Sequence, residues 1–151
     1  SLAAWACVQE FNEPSVCIVK HTNPCGVASS KDILESYKKA FQTDPTSAFG
    51  GVIACNNEIE KETANYMVNN QFIEVLIAPS YTKEAIEILQ SKPNIRVLRG
   101  NHNEIDIFEN RIINGIGLVQ SSDTEDFSSM EFKHVTKISP TLEQLDDLIL
   151  L

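Results

Sequence analysis

SVCIV at 15–19, SSKDILESYKKAFQT at 29–43 and GVIAC at 51–55 set the rhythm of this 151-residue chain. The first and third are short, almost wholly apolar runs rich in β-branched residues, the pattern of a buried strand. Between them Ile33, Leu34, Tyr37 and Phe41 recur at helical spacing, with Ser29 and Asp32 as the expected capping box. Upstream, 1–11 (SLAAWACVQEF) reads as a helix with Leu2, Trp5 and Phe11 among its apolar positions, stopped by Asn12-Glu13-Pro14. Downstream, Asn57 with Glu60 offers a cap for a helix through Met67. Then 72–78 reads as strand, 82–90 as helix and 95–98 as strand. Strands near 15–20, 51–55, 73–78 and 95–98, alternating with helices, predict an α/β fold. The expected architecture is a three-layer α/β/α sandwich around a largely parallel sheet.

Beyond Gly100 the rhythm changes. The polar stretch 101–109 is expected to be a loop, Asn114-Gly115 between apolar runs predicts a hairpin turn, and 131–137 is expected as a strand. Ser139 at N-cap and Pro140 at N1 are expected to open a final amphipathic helix. The abrupt start and the uncapped apolar end at 148–151 suggest a fragment of something longer.

Composition narrows the class. The chain is 42% hydrophobic and 22% charged with only 6 Gly and 6 Pro, which excludes disordered and collagen-like chains. Its net charge of -9 has the wrong sign for general attraction to nucleic acid or anionic membrane. No apolar run approaches the ~18 residues of a membrane span. The charge is uneven: residues 1–100 carry 9 basic and 11 acidic side chains, residues 101–151 carry 3 and 10. That last third is an acidic solvated face or a segment built to meet a basic partner. The cysteines Cys7, Cys17, Cys25 and Cys55 form no Cys-x-x-Cys pair and no disulfide framework, so a reducing cytoplasm is the expected compartment.

The densest reactive cluster is KHTNPCG at 20–26, expected as a turn where a buried strand ends. Ligands in open α/β sheets bind at the carboxyl ends of strands. An ammonium at Lys20 suits developing negative charge, and the imidazole of His21 suits a base. Within a strand the two side chains would diverge, so they converge only if the turn bends the backbone first; otherwise they are a solvated strand end. Cys17, His21 and Cys25 recur every four residues, but a strand followed by a turn does not bring them together. Zinc nucleoside deaminases use His-x-Glu and Pro-Cys-x-x-Cys. Here Asn23 replaces the Glu and Ala28 the second Cys, so no metal is expected. In DPTSAFGG at 44–51 the paired glycines either admit a ligand or make a tight helix-to-strand turn. Glu74, a lone carboxylate between Ile73 and Val75, either faces solvent at an edge or needs a partner, which a ligand donor would supply.

Together KHTNPCG at 20–26, DPTSAFGG at 44–51, QFIEVLIAP at 71–79 and the Asn114-Gly115 to Gln120 stretch resemble, in that order, a known family. It is the transformylase domain of the bifunctional purine-biosynthesis enzyme that also carries inosine monophosphate cyclohydrolase activity. The resemblance implies a cytidine-deaminase-like fold without its zinc. It further implies formyl transfer from 10-formyltetrahydrofolate to the amine of aminoimidazole carboxamide ribonucleotide (AICAR). It makes His21 the base and a substrate contact, Lys20 the transition-state stabiliser, and Gly50 and Glu74 substrate contacts. Asn23, Pro24, Phe49 and Gly51 are supporting positions. The implied partners are AICAR and the folate co-substrate, with no nucleic acid, membrane or metal, in a cytoplasmic homodimer of the full-length protein.

On this resemblance residues 1–151 are a central fragment, with 1–120 a first cytidine-deaminase-like subdomain and 121–151 the start of the next segment. The family's upstream Arg-Tyr contact, its downstream half and the cyclohydrolase domain are missing, and the fragment alone is expected to be inactive. Ser121-Ser122-Asp123 departs from the family's basic continuation after Leu-Val-Gln. Competing readings are a non-catalytic ligand-binding or regulatory α/β module and a zinc nucleoside deaminase.

Overall fold

In the computed structural model, which describes residues 2–101, 108–123 and 133–150, the run around SVCIV becomes the strand on which the sheet is built. After α1 (Leu2–Gln9), β1 (Ser15–Lys20) pairs antiparallel with β2 (Asn23–Ser29) on one side. Past α2 (Ile33–Thr43) and a short α3 (Pro45–Ala48), β3 (Gly51–Cys55) pairs antiparallel on the other side of β1. Then α4 (Lys61–Asn70), β4 (Ile73–Ala78), α5 (Lys83–Gln90) and β5 (Arg96–Arg99) extend the sheet in parallel, giving the order β2-β1-β3-β4-β5.

The sheet is therefore mixed, not largely parallel. The difference lies in residues 23–29, expected to begin as a turn and found as an edge strand. Asn-Pro and Cys-Gly act as punctuation in isolation, but here each has another use. Pro24 is tolerated on an edge strand, where its missing N–H is not needed. The register slips between Ile18 and Val19, leaving Cys25 as the extra residue of a bulge. Gly26 is buried because a Cβ there would stand 2.0 Å from the Ala40 carbonyl oxygen of α2.

Two apolar layers sandwich the sheet. On one face Ala4 and Val8 of α1 pack with Cys17, Val19, Ala54 and Ile77. On the other, Ile33, Tyr37 and Ala40 of α2, Ala64 and Met67 of α4, and Ala85 and Leu89 of α5 cover Val16, Ile18, Ile53, Cys55 and Leu76. The α/β/α layering agrees with expectation, and 16–19 is buried throughout. Of the expected apolar positions of α1, Trp5 packs against the first of these layers. Leu2 is 83% exposed, Phe11 lies past the helix end, and the small residues Ala4 and Val8 let the helix sit close to the sheet.

Caps also differ in position. Asp32 alone caps α2, accepting from Glu35 N at 2.8 Å, while Ser29 remains in β2 with its hydroxyl 2.5 Å from that of Ser15. Glu60 occupies the N-cap of α4 without a side-chain bond, and Asn57 is not the cap. Thr82 caps α5 through Ala85 N. Buried Asn56 fastens the lead-in to β1: it accepts from Ser15 N at 2.7 Å and donates to Phe11 O and Glu13 O.

The chain divides into two compact units, Ser1–His102 and Asn103–Leu151. In the second, β6 (Phe108–Ile113) and β7 (Ile116–Ser121) form the expected hairpin. Asn114 (φ 50) and Gly115 (φ 83) supply the two left-handed residues of a two-residue turn. Of the loop expected over 101–109, Phe108 and Glu109 are in β6, and 102–107 lie outside the described residues. Residues 133–137 form no strand, and the expected strand's 131–132 are likewise outside the described residues. The last helix, α6 (Leu142–Leu150), opens two residues later than expected. Thr141 and Gln144 cap it reciprocally, Thr141 N donating to Gln144 Oε1 at 3.0 Å and Gln144 N to Thr141 Oγ1 at 3.2 Å. Among the described residues no helix is long and apolar enough to cross a membrane.

Candidate functional site

The β1–β2 hairpin turns on only two residues, His21 (φ 51) and Thr22 (φ 69). Such turns require positive φ at both central positions and favour Asn-Gly. A histidine followed by a β-branched threonine is a costly choice there, and strain of this kind concentrates at functional sites. The turn is propped locally. Thr22 Oγ1 donates to His21 O at 2.5 Å and Asn23 Nδ2 to the same oxygen at 3.2 Å. Sharp reversal directly after Lys20 supplies the bend that lets Lys20 and His21 serve one site.

Across β1, residues 48–51 form the second wall. Phe49 (φ -57, ψ 124) followed by Gly50 (φ 67) has the dihedrals of a type II turn, which demands positive φ at its third position. Gly50 meets that demand. Its N–H donates to Phe72 O at 2.9 Å, and Lys20 Nζ donates to the Phe49 carbonyl. A Cβ placed on Gly50 would lie 3.4 Å from Glu74 Oε1, 3.6 Å from Lys20 Nζ and 3.7 Å from Phe72 Cδ1. The bare glycine thus sits between an ammonium and a carboxylate.

Lys20, His21, Gly50 and Glu74 line one cavity of about 450 Å³, together with Leu2 and Ala3 of α1, Val19, Thr22 and Val52. The four residues singled out as catalytic or substrate-binding are therefore neighbours. The supporting positions are placed otherwise. Asn23 holds the turn from behind, and Pro24 is exposed in β2. Phe49 contributes its carbonyl, while its ring lies 5.3 Å from that of Phe72. Gly51 is buried because a Cβ would meet Ala48 O at 2.8 Å and Ile18 Cγ2 at 3.2 Å. Of the paired glycines, one answers a backbone conformation beside the cavity and the other a packing limit.

The residues of the zinc pattern do not fit a metal. Cys17 lies in the layer under α1, hydrogen-bonded to the Cys7 thiol, whereas Cys25 packs against the opposite layer. Among the described residues no three His, Cys, Asp or Glu side chains are spaced to hold a metal ion. The Cys7–Cys17 contact brings the Cys7 thiol down to about 7, against the opposing effects of burial and Glu10.

Sequence reasoning missed Thr22, Leu2 and Ala3 as lining, and it missed Gln71. Buried Gln71 accepts from Tyr37 OH at 2.9 Å and donates through Nε2 to Ala48 O, just before the type II turn. It lies within the 71–79 stretch, and a glutamine there carries no local signal of the Tyr37 and Ala48 partners that only the fold supplies.

The family model for the AICARFT/IMPCHase bienzyme matches residues 1–151, the whole chain. The chain belongs to that family. The AICARFT/IMPCHase bienzymes act in purine biosynthesis. Among solved structures, the chain is similar to the dCMP deaminase of the cyanophage S-TIM5 in its apo form. Identity is 12% and the TM-score 0.49, over 66% of this chain and 92% of that one.

Proposed function

We propose that this chain contributes to the formyl-transfer site of the bienzyme, not to its cyclohydrolase site. In this reading the AICAR amine nitrogen attacks the formyl carbon of 10-formyltetrahydrofolate. The C=O electron pair moves to oxygen, and the tetrahedral intermediate collapses with loss of tetrahydrofolate N10, which takes up a proton. An amine on an electron-poor ring is a weak nucleophile, so orientation and a base make it competent. His21 accepts the amine proton. The Lys20 ammonium, with three donors of which one is committed to Phe49, offers the rest to the oxyanion. Gly50 and Glu74 contact the ribonucleotide.

The observation that supports this reading best is the anchored Lys20 beside Gly50 and Glu74 in a cavity that His21 also lines. AICAR and the folate are the partners in this reading, and the full-length protein is a cytoplasmic homodimer. The test assays both activities in the protein that carries this chain. His21→Ala and Lys20→Ala are each expected to lower kcat for formyl transfer, His21→Ala by roughly 10²–10⁴-fold, and to spare cyclohydrolase turnover. Loss of cyclohydrolase activity with formyl transfer intact refutes the assignment. A rise in KM with kcat unchanged reduces the pair to binding contacts.

A further inference from the structure

Three consecutive residues, Ala48 to Gly50, are gripped from two directions. On the inner side, Gln71 Nε2 donates to Ala48 O, and Phe72 O accepts from Gly50 N at 2.9 Å. Between these two anchors the Phe49 carbonyl is free to face outward, and there it accepts from Lys20 Nζ. The amide of Gln71 can serve Ala48 only if its nitrogen faces that oxygen. An amide flip would set oxygen against oxygen. The Ala48 carbonyl, which can only accept, fixes the choice, and the Tyr37 hydroxyl, kept protonated by burial, completes the pair by donating to Gln71 Oε1 at 2.9 Å. Gln71 is itself tied at the backbone, its N–H donating to Met67 O at the end of α4. Tyr37 is fully buried and Gln71 nearly so, and buried hydrogen bonds are costly to leave unmade.

We infer that the Tyr37–Gln71 pair positions Lys20 by fixing the Ala48–Gly50 turn that carries its acceptor, making Gln71 a positioning residue of the site. This rests on the formyl-transfer reading for its effect on rate, but not for the tether itself. Gln71 touches neither the cavity nor Lys20. It holds the Ala48–Phe49 peptide plane, next to the Phe49–Gly50 plane that carries the acceptor and is itself held by Phe72 O. If the first plane is released, the turn at Phe49 loosens, the Phe49 carbonyl leaves the ammonium, and Lys20 regains the freedom of a flexible four-carbon stem.

The experiment compares Gln71→Met, Tyr37→Phe, Lys20→Ala and the Lys20→Ala/Gln71→Met double variant of the protein that carries this chain. Acylation of Lys20 by acetic anhydride, followed by mass spectrometry of the folded protein, reports the tether without substrate. It is expected to be several-fold faster in Gln71→Met, with a smaller change in the same direction in Tyr37→Phe. The kcat for formyl transfer is expected to fall on the order of tenfold in Gln71→Met, since small misplacements of a catalytic group cost this much or more. In the Lys20→Ala background the same substitution is expected to lower kcat no further, because two groups acting as one unit are not additive.

Unchanged Lys20 labelling, or an undiminished tenfold fall in the Lys20→Ala background, overturns the inference. A generally weakened fold would produce that second pattern. Should Gln71→Met fail to fold, Tyr37→Phe removes a single oxygen and is read by the same labelling and kinetic comparison. If Lys20→Ala leaves formyl transfer intact, the proposed function fails, while labelling still decides whether Gln71 holds Lys20.

Discussion

The Lys20 ammonium and the Phe49 carbonyl meet across 29 residues of sequence, joining the end of β1 to the turn that opens β3. A lysine at a strand end ordinarily waves in solvent. Here the acceptor is a backbone atom held by its own turn, so the side chain inherits the rigidity of the sheet.

That turn depends on Gly50. An alanine Cβ would find ordinary contact distances to Glu74 and Lys20, but its φ of 67 is the left-handed region that L side chains avoid. Gly50→Ala is expected to cost about 1–2 kcal/mol, or to relieve that cost by rotating the Phe49 peptide plane away from Lys20. Thermal melting with Lys20 labelling distinguishes the two. A variant with wild-type values for both would refute the geometry.

Gly26→Ala concerns a backbone contact that cannot yield. A Cβ there lies 2.0 Å from the Ala40 carbonyl oxygen, so α2 must move off β2. Destabilisation of roughly 3 kcal/mol or more is expected. Denaturant unfolding measures it, and a loss below about 1 kcal/mol would mean that α2 slides freely.

Asp44 makes stability depend on acid. The Ser47 hydroxyl at 2.5 Å and then the Ser47 N–H at 2.9 Å hold its carboxyl below the usual range. Its folded value is depressed, so its contribution is fully present above the unfolded value near ~4 and is lost as pH falls through the folded one. Asp44→Asn can still cap α3 but cannot titrate. The melting temperature of the variant is expected to fall less steeply than that of the wild type below pH ~4. Superimposable profiles would contradict the assignment.

Half-buried Cys7 should stand apart from the buried thiols Cys17 and Cys55. The Cys17 hydrogen bond brings it to about 7, while Cys17 and Cys55 are pushed up, the first by that same bond and the second by burial. Alkylation of the folded protein is expected to mark Cys7 at lower pH than an ordinary thiol and to leave Cys17 and Cys55 largely unmodified. Cys17→Ala is expected to move the Cys7 midpoint upward. Equal rates at all three would exclude the thiol pair.

Much of this was legible in the residues because burial and periodicity are local signals. The apolar runs at 15–19 and 51–55 announce strands, and Asn114-Gly115 announces its turn. Strand β2 was not legible. Its Pro24 and Gly26 look like breakers until an edge and a neighbouring helix explain them, and both are facts of tertiary packing. The clustering of Lys20, His21, Gly50 and Glu74 followed from motif resemblance, and no spacing rule brings residue 74 to residue 20. The Tyr37–Gln71–Ala48 chain was hidden for the same reason, since its members come from a helix, a strand lead-in and a turn.

The mixed sheet also sets an order of assembly. The β1–β2 hairpin closes a two-residue loop, whereas β1 meets β3 only after the chain returns past α2 and α3, and β4 joins only after α4. Short-range pairings carry less closure entropy and form sooner. Lys20 and His21 belong to the early hairpin, while Gly50 and Glu74 arrive with the later strands. A partly folded chain can therefore hold Lys20 and His21 without the wall that confines them, and the cavity comes into being only as the parallel half docks.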